Sequence, residues 1–265
     1  MNVFLNEMRA HRKSLILWNI GIVFLIASGM SKYAGMSSTG QSMNDLMAEM
    51  PQSLQAIMGT GALDLSTAGG YYGVLFLYLV LMATIHATML GAHIISKEER
   101  DKTVEFLFAK PILRSRIITA KLMAALVNIV IITAVSWASS ILIVGNYSKG
   151  ESVSSDIAIT MVGLFIVQLL FLVIGTAIAA VSKKPKRAAS LSSGILLITF
   201  ILSIAIDLND KLTNLKYLTP FKYYEAKHVM YGGGLDGIFI LLSLVMVTIL
   251  TIGTYVWYRK RDLNV

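Results

Sequence analysis

The chain has 265 residues, 55% of them hydrophobic and 14% charged, with a formal net charge of +8 and no cysteine. Soluble domains carry about 25% charge, so this depletion, with a mean hydropathy of +0.69, indicates a membrane protein and assigns the basic balance to membrane flanks instead of nucleic acid. The lack of cysteine excludes disulfides, thiolate metal ligands and cysteine nucleophiles.

In chain order, the N-terminal stretch 1–14, "MNVFLNEMRAHRKS", is amphipathic. Val3, Phe4 and Met8 are available to lipid, and Arg9, Arg12 and Lys13 to anionic headgroups at about 1 kcal/mol each. The plainer alternative is a basic flank that only sets topology. Six apolar segments then approach the roughly 20 helical residues that cross a bilayer core. They lie at about 15–30, 71–95, 117–144, 160–181, 189–207 and 237–258. In lipid each must be helical, because an open strand leaves its backbone groups unpaired. A cleaved signal peptide would need a better site than "LIASGM", and five more spans follow, so the first helix is read as retained.

Charge sets the orientation. Residues 1–14, 96–121, 182–188 and 259–265 together hold 17 basic and 6 acidic residues, and the rest of the chain holds 6 basic and 9 acidic. Lysine and arginine concentrate in the cytoplasm, which places both termini and the segment 96–121 there.

Between spans one and two lies the longest outer loop, 31–70. Leu46, Met47, Met50, Leu54, Ile57 and Met58 recur at helical spacing, and Pro51 bends this pattern or starts a new helix. A pair of short interfacial helices follows, or a packed cap without functional contacts. The aromatics of 208–236 suit the headgroup level, the "GGG" at 232–234 is a flexible lead-in to the last span, and Asp207 is an interfacial terminus.

The second and third spans are joined by "SKEERDKTVEFLFAKPILRSRIITAK", residues 96–121, with seven basic and four acidic residues. Val104, Leu107 and Phe108 share one face of an amphipathic helix, and Glu98, Arg100, Asp101, Lys102 and Glu105 cover much of the rest. Ser96 is placed to cap it, with Glu98 and Glu99 in its first turn. Pro111 should end it, and a new helix should begin near Ile112. Periodicity alone leaves lipid and a protein groove open as the partner of the apolar face.

This segment carries a resemblance to the permease subunits of ABC-2 type exporters. Their pattern E-x-x-x-G-T-x-E-x-L-x-x-x-P-x-x-R-x-x-I-x-x-x-K is matched by Glu98, Thr103, Glu105, Leu107, Pro111, Arg114, Ile117 and Lys121. Lys102 stands where the pattern has glycine, which favours a helix there. "MPQSLQAIMG" followed by "LDLSTAGGYYG" resembles the outer loop of one subgroup. The resemblance covers nearly the whole chain. It implies an all-α polytopic domain spanning residues 1–265, with residues 1–14 as an elbow helix along the inner face. It also implies a cytoplasmic coupling segment over 96–116, which docks in a groove of a separate ATPase. Glu98, Thr103, Val104, Glu105, Leu107, Phe108, Pro111 and Arg114 would carry that coupling. The implied role is ATP-driven export through the plasma (cytoplasmic) membrane of a bacterium, with peptides, drugs, lipids and lipid-linked glycans all consistent as cargo. A second permease, identical or not, would complete the pathway.

The sequence holds no G-x-x-x-x-G-K-[ST] loop, so ATP and Mg belong to the partner ATPase, and this chain is expected to bind no cofactor or metal and to catalyse nothing. Within the spans, His86 and His93 lie seven apart on one face of the second helix, without an H-E-x-x-H motif or a nearby carboxylate. With Asn128 and Gln168 they are candidates for helix-packing hydrogen bonds or for lining the pathway. Gly163, Gly175 and Ala179 permit close helix approach. Competing readings are an intramembrane enzyme using a histidine, for which paired carboxylates are missing, and a secondary transporter, for which a broken helix pair is missing.

Overall fold

The computed structural model describes residues 3–37, 43–60, 63–100, 113–148, 150, 153–182 and 184–260, and among these there is no strand. The long helices are α1 (Val3–Ser37), α4 (Ala68–Arg100), α5 (Arg114–Tyr147), α6 (Ser154–Val181), α7 (Pro185–Leu208) and α8 (Gly237–Lys260). Two short helices, α2 (Met43–Ala48) and α3 (Gln52–Met58), lie between α1 and α4. All six long helices are long and apolar enough to cross a membrane. Among the described residues, prolines sit only where helices begin. Pro51 precedes α3, Pro185 opens α7, and Pro220 opens a short 3-10 turn after α7, positions where a missing amide hydrogen costs nothing.

α4 and α6 form the centre. About 67% and 61% of their apolar windows are buried, against 17% to 33% for the other four. The seam between them is closed by glycine. A Cβ on Gly175 would lie 2.6 Å from the Thr88 carbonyl oxygen, and one on Gly91 would strike the Leu172 carbonyl. In a lipid environment, where apolar side chains gain little by leaving lipid, such backbone proximity is what holds helices together. Of the small residues expected to permit close helix approach, Gly175 does so at this seam, whereas Gly163 meets Tyr224 of the loop after α7.

Several expectations are corrected. Residues 3–14 are not a separate elbow helix; they are the first turns of α1, whose 35 residues run without a break for roughly 52 Å at 1.5 Å per residue. No glycine or proline lies between Val3 and Ile20 to interrupt it. Phe4 and Met8 are partly buried and pack against the apolar cluster of Ile94, Ile118 and Ala125, and Met8 Sδ accepts from Asn128 Nδ2 at 3.4 Å. Ser96 is not an N-cap. Its hydroxyl donates to the Ala92 carbonyl at 2.7 Å within α4, which continues to Arg100. Glu98 and Glu99 therefore stand in a last turn, not a first.

The loop after α7 folds onto the bundle. Phe221, Tyr223 and Tyr224 are buried in the main core, and Tyr223 stacks on Phe239 with ring centroids 4.7 Å apart. The Tyr224 hydroxyl lies 3.1 Å from Ser243 Oγ. Glycines do the turning that follows: Gly232 (φ 86°) and Gly234 (φ 59°) adopt left-handed backbone, which costs a side chain-bearing residue and not glycine. At the same end of the bundle, Asp64 fixes the turn before α4. Its Oδ1 accepts from Asn44 Nδ2 at 2.7 Å and from the Ser66 hydroxyl at 2.6 Å. These bonds hold its carboxyl below the usual range, the Asn44 amide contributing most.

Candidate functional site

Where α4 ends and α5 begins, the chain buries charge. Lys121, in the second turn of α5, is completely inaccessible. Its ammonium donates to the Ile94 carbonyl at 2.5 Å and to Glu98 at 2.7 Å, and lies 3.7 Å from Glu7 Oε1. Glu7, on α1, is 1% exposed. Its other oxygen receives Lys97 Nζ at 3.2 Å, and His11 Nε2 stands 3.7 Å away. Two carboxylates and two ammonium groups thus join α1, α4 and α5 directly below the apolar cluster of Ile94, Ile118 and Ala125.

Local sequence explains how each group arrives there. Lys97 and Glu98 are adjacent, so they project about 100° apart around α4 and reach different neighbours. One meets α1 and the other α5. A carboxylate in a last helical turn opposes the helix dipole, and Lys121 supplies the opposite charge that stabilises Glu98 there. Charges so buried are costly unless paired and hydrogen-bonded. Here every member has a partner, and Lys121 satisfies two of its three donors at short distance.

Of the residues that sequence reading assigned to coupling, Glu98 lies inside this cluster and Arg114 near it. Arg114 Nη1 donates to the Arg259 carbonyl at 3.2 Å, which ties the start of α5 to the end of α8. Thr103, Val104, Glu105, Leu107, Phe108 and Pro111 lie outside the described residues. α5 begins at Arg114, after an extended Leu113. Glu7 and Lys97 escaped the sequence reading, and Lys121 was matched without a role. The available signals were the lone carboxylate among the basic residues of 1–14 and the Glu98–Lys121 spacing across Pro111.

The intramembrane polar residues lie at separate points along the helices. His86 is buried on α4, its ring meeting Trp18 edge-on at 5.5 Å, and its Nδ1 has no hydrogen-bond partner. His93, two turns further along α4, is half-buried. Gln168 donates from α6 to Thr133 Oγ1 on α5 at 3.0 Å. Asn128 donates back to the Ala124 carbonyl at 2.7 Å. Gln168 and Asn128 thus act at helix contacts. Among the described residues no three His, Cys, Asp or Glu side chains converge as metal ligands would.

The family model described as ABC-2 family transporter protein matches residues 1–263. No curated protein matches the chain.

Proposed function

The chain belongs to the ABC-2 family of transporter proteins, and from that premise we propose that it is one permease half of an ATP-driven exporter, coupled to separate ATPase subunits through the segment 96–116. As a member it is a multi-pass, non-catalytic membrane subunit of an ABC transporter. A second permease completes the pathway, and ATP and Mg are bound by the ATPase. The charge distribution supports both termini and the segment 96–121 lying on the cytoplasmic face of a bacterial plasma membrane.

One observation carries the coupling reading: the buried Glu7–Lys97 and Glu98–Lys121 pairs at the root of that connection. A force applied between Arg100 and Leu113 meets α4 and α5 already tied together, with α1 tied to both. Displacement of the connection is therefore passed to three helices as one body instead of being absorbed by fraying helix ends. Packed elements of this kind shift between discrete arrangements and do not deform continuously. All six long helices are unbroken over their described lengths, which gives no support to the discontinuous helix pair of many secondary transporters.

The test is Leu107→Asp in the full chain, purified from its native membranes. The parent should co-purify with a subunit that contains a phosphate-binding Walker loop and hydrolyses ATP. The variant should insert in equal amount and lose that subunit, because the change buries an unpaired charge in the docked groove. Equal recovery of the ATPase and equal coupled hydrolysis with Leu107→Asp would overturn the proposal.

A further inference from the structure

At the end of the bundle opposite Glu7, a cavity of about 370 Å³ opens between α3, α4, α6, α7 and the loop that follows α7. That volume falls within the roughly 300–1,000 Å³ of small-ligand sites. Its two ends differ chemically. Val80 lies twelve residues into α4 and Val167 thirteen into α6, and with Phe76 and Phe221 they form an apolar floor. From Gly73 to Val80 the α4 wall runs about 10 Å along the helix axis at 1.5 Å per residue. The mouth is polar, with Gln52 on one side and Asp207, Glu225 and Lys227 on the other.

The mouth charges form a closed ring. Asp207 Oδ1 lies 2.6 Å from Lys222 Nζ and 2.9 Å from Lys227 Nζ. Glu225 completes the ring, at 2.5 Å from Lys222 and 3.4 Å from Lys227. Burial pulls the Lys227 ammonium down, but Glu225 and Asp207 together outweigh it and hold it above the ordinary lysine range. Lys222 is the inner member, 5% exposed at its side chain, whereas Asp207 and Lys227 are 26% and 25% exposed. One accessible anion and one accessible cation thus stand side by side above an apolar shaft. The ring sums to zero. A ligand with one net charge would compete for one member and leave its counter-charge without compensation. A ligand with both signs can exchange with both.

The geometry points to a binding site for a zwitterionic amphiphile, a lipid whose phospho-amine head engages Asp207 and Lys227 and whose chain occupies the apolar floor. The ammonium of such a head meets Asp207 and Glu225, the phosphate meets Lys227 and the Gln52 amide, and the first methylenes run along Phe76 toward Val80. The floor demands the chain, since a soluble head alone would leave that wall unfilled. This site lies apart from the coupling cluster and does not depend on it.

The experiment uses the full chain in maltoside micelles without any ATPase, and measures binding by native mass spectrometry and by titration. The probes are lysophosphatidylethanolamine, the anionic lysophosphatidylglycerol, and chain-free glycerophosphoethanolamine. One lysophosphatidylethanolamine per chain is expected, bound at least tenfold more tightly than either other probe. Val80→Trp fills the floor without touching the ring and should weaken that binding at least tenfold. If Val80→Trp lowers thermal stability, Ala56→Trp, which obstructs the mouth from the short helix α3, gives the same reading. Equal affinity for the zwitterionic and anionic lipids overturns the head-group assignment. Equal affinity for the chain-free head overturns the amphiphile. A folded Val80→Trp or Ala56→Trp protein that binds like the parent overturns the cavity. Failure of the Leu107→Asp experiment would leave all these readouts unchanged.

Discussion

Lys121→Met removes the ammonium from the most buried charge in the coupling cluster while keeping most of the side-chain volume. Two carboxylates then lose a partner. Glu98 loses a 2.7 Å ion pair, and the Ile94 carbonyl loses a 2.5 Å donor. Glu7 loses a weaker contact at 3.7 Å but keeps Lys97 at 3.2 Å. Breaking one side of a buried pair costs about 3–5 kcal/mol. The lower end applies, because Glu98 is 14% exposed at its side chain and so reaches water in part. About 3 kcal/mol is therefore expected for Lys121→Met, measured by reversible unfolding in mixed micelles. Glu98→Gln alone leaves Lys121 buried with Glu7 still near it, and about 2 kcal/mol is expected as the cost of an uncompensated buried group. The double variant should cost clearly less than the sum of the two, with a coupling energy of about 1–3 kcal/mol, as for residues in direct contact. The double variant also separates stability from function: it should fold and bind the ATPase, yet show weakened substrate-stimulated hydrolysis. Strict additivity in the cycle, or a Lys121→Met cost below about 1 kcal/mol, would refute the clamp.

Three further outcomes are expected. Cytoplasm-active reporter fusions should work after residues 110, 186 and 265 and be silent after 55, 150 and 225; activity at 55 would refute the orientation. Gly175→Leu forces a Cβ to within 2.6 Å of the Thr88 carbonyl and should cost about 1–3 kcal/mol, the usual range for overpacking, with Gly175→Ala intermediate; unfolding of the purified variants measures it. The turn around Asp64 should loosen in acid. Its carboxyl sits below the unfolded value of about 4, so its stabilisation is complete above about pH 4 and is lost as pH falls through the folded value. Hydrogen exchange at the Leu65 and Ser66 amides should rise over that window, and Asp64→Asn should remove the pH dependence.

The six spanning helices were legible because hydropathy over twenty residues is a one-dimensional signal, and membrane crossing needs little else. Boundaries were less so. The turns at 3–14 and 96–100 are polar, and polarity in a sequence does not mark where a helix ends. In the structure they are continuous helix that carries its charge to partners far away in sequence. Glu7 and Lys97 are 90 residues apart, and no local pattern can pair them. Glu98 and Lys121 were both in view, but their pairing depended on α4 and α5 running antiparallel with a particular register. The same limit hid the ring of Asp207, Lys222, Glu225 and Lys227. Asp207 read as a helix end at the membrane surface, and it became part of a site only when the loop after α7 folded back over α6 and α7. The burial of Tyr223 and Tyr224 in the core was hidden for a related reason: such side chains are equally at home at a headgroup layer and packed under a loop.

α4 connects the two charged regions. Phe76 and Val80 wall the cavity, Gly91 closes the seam with α6, and Glu98 grips Lys121. These positions lie on one unbroken helix, about 33 Å apart from end to end at 1.5 Å per residue. A rigid helix so placed imposes a constraint on any coupling between the ends. An amphiphile in the cavity alters ATPase engagement only in so far as it binds two arrangements of α4 with different affinity. By reciprocity, nucleotide-driven closure must then change the equilibrium affinity for the amphiphile by the same factor. The Gly91–Gly175 seam is where such arrangements would have to differ, because direct backbone contact permits sliding along the helix axis but not separation. Substitutions at the seam therefore act on both ends together, whereas Val80→Trp and Lys121→Met each act on one. That distinction separates a lipid which merely fills the cavity from one whose binding is felt at the ATPase.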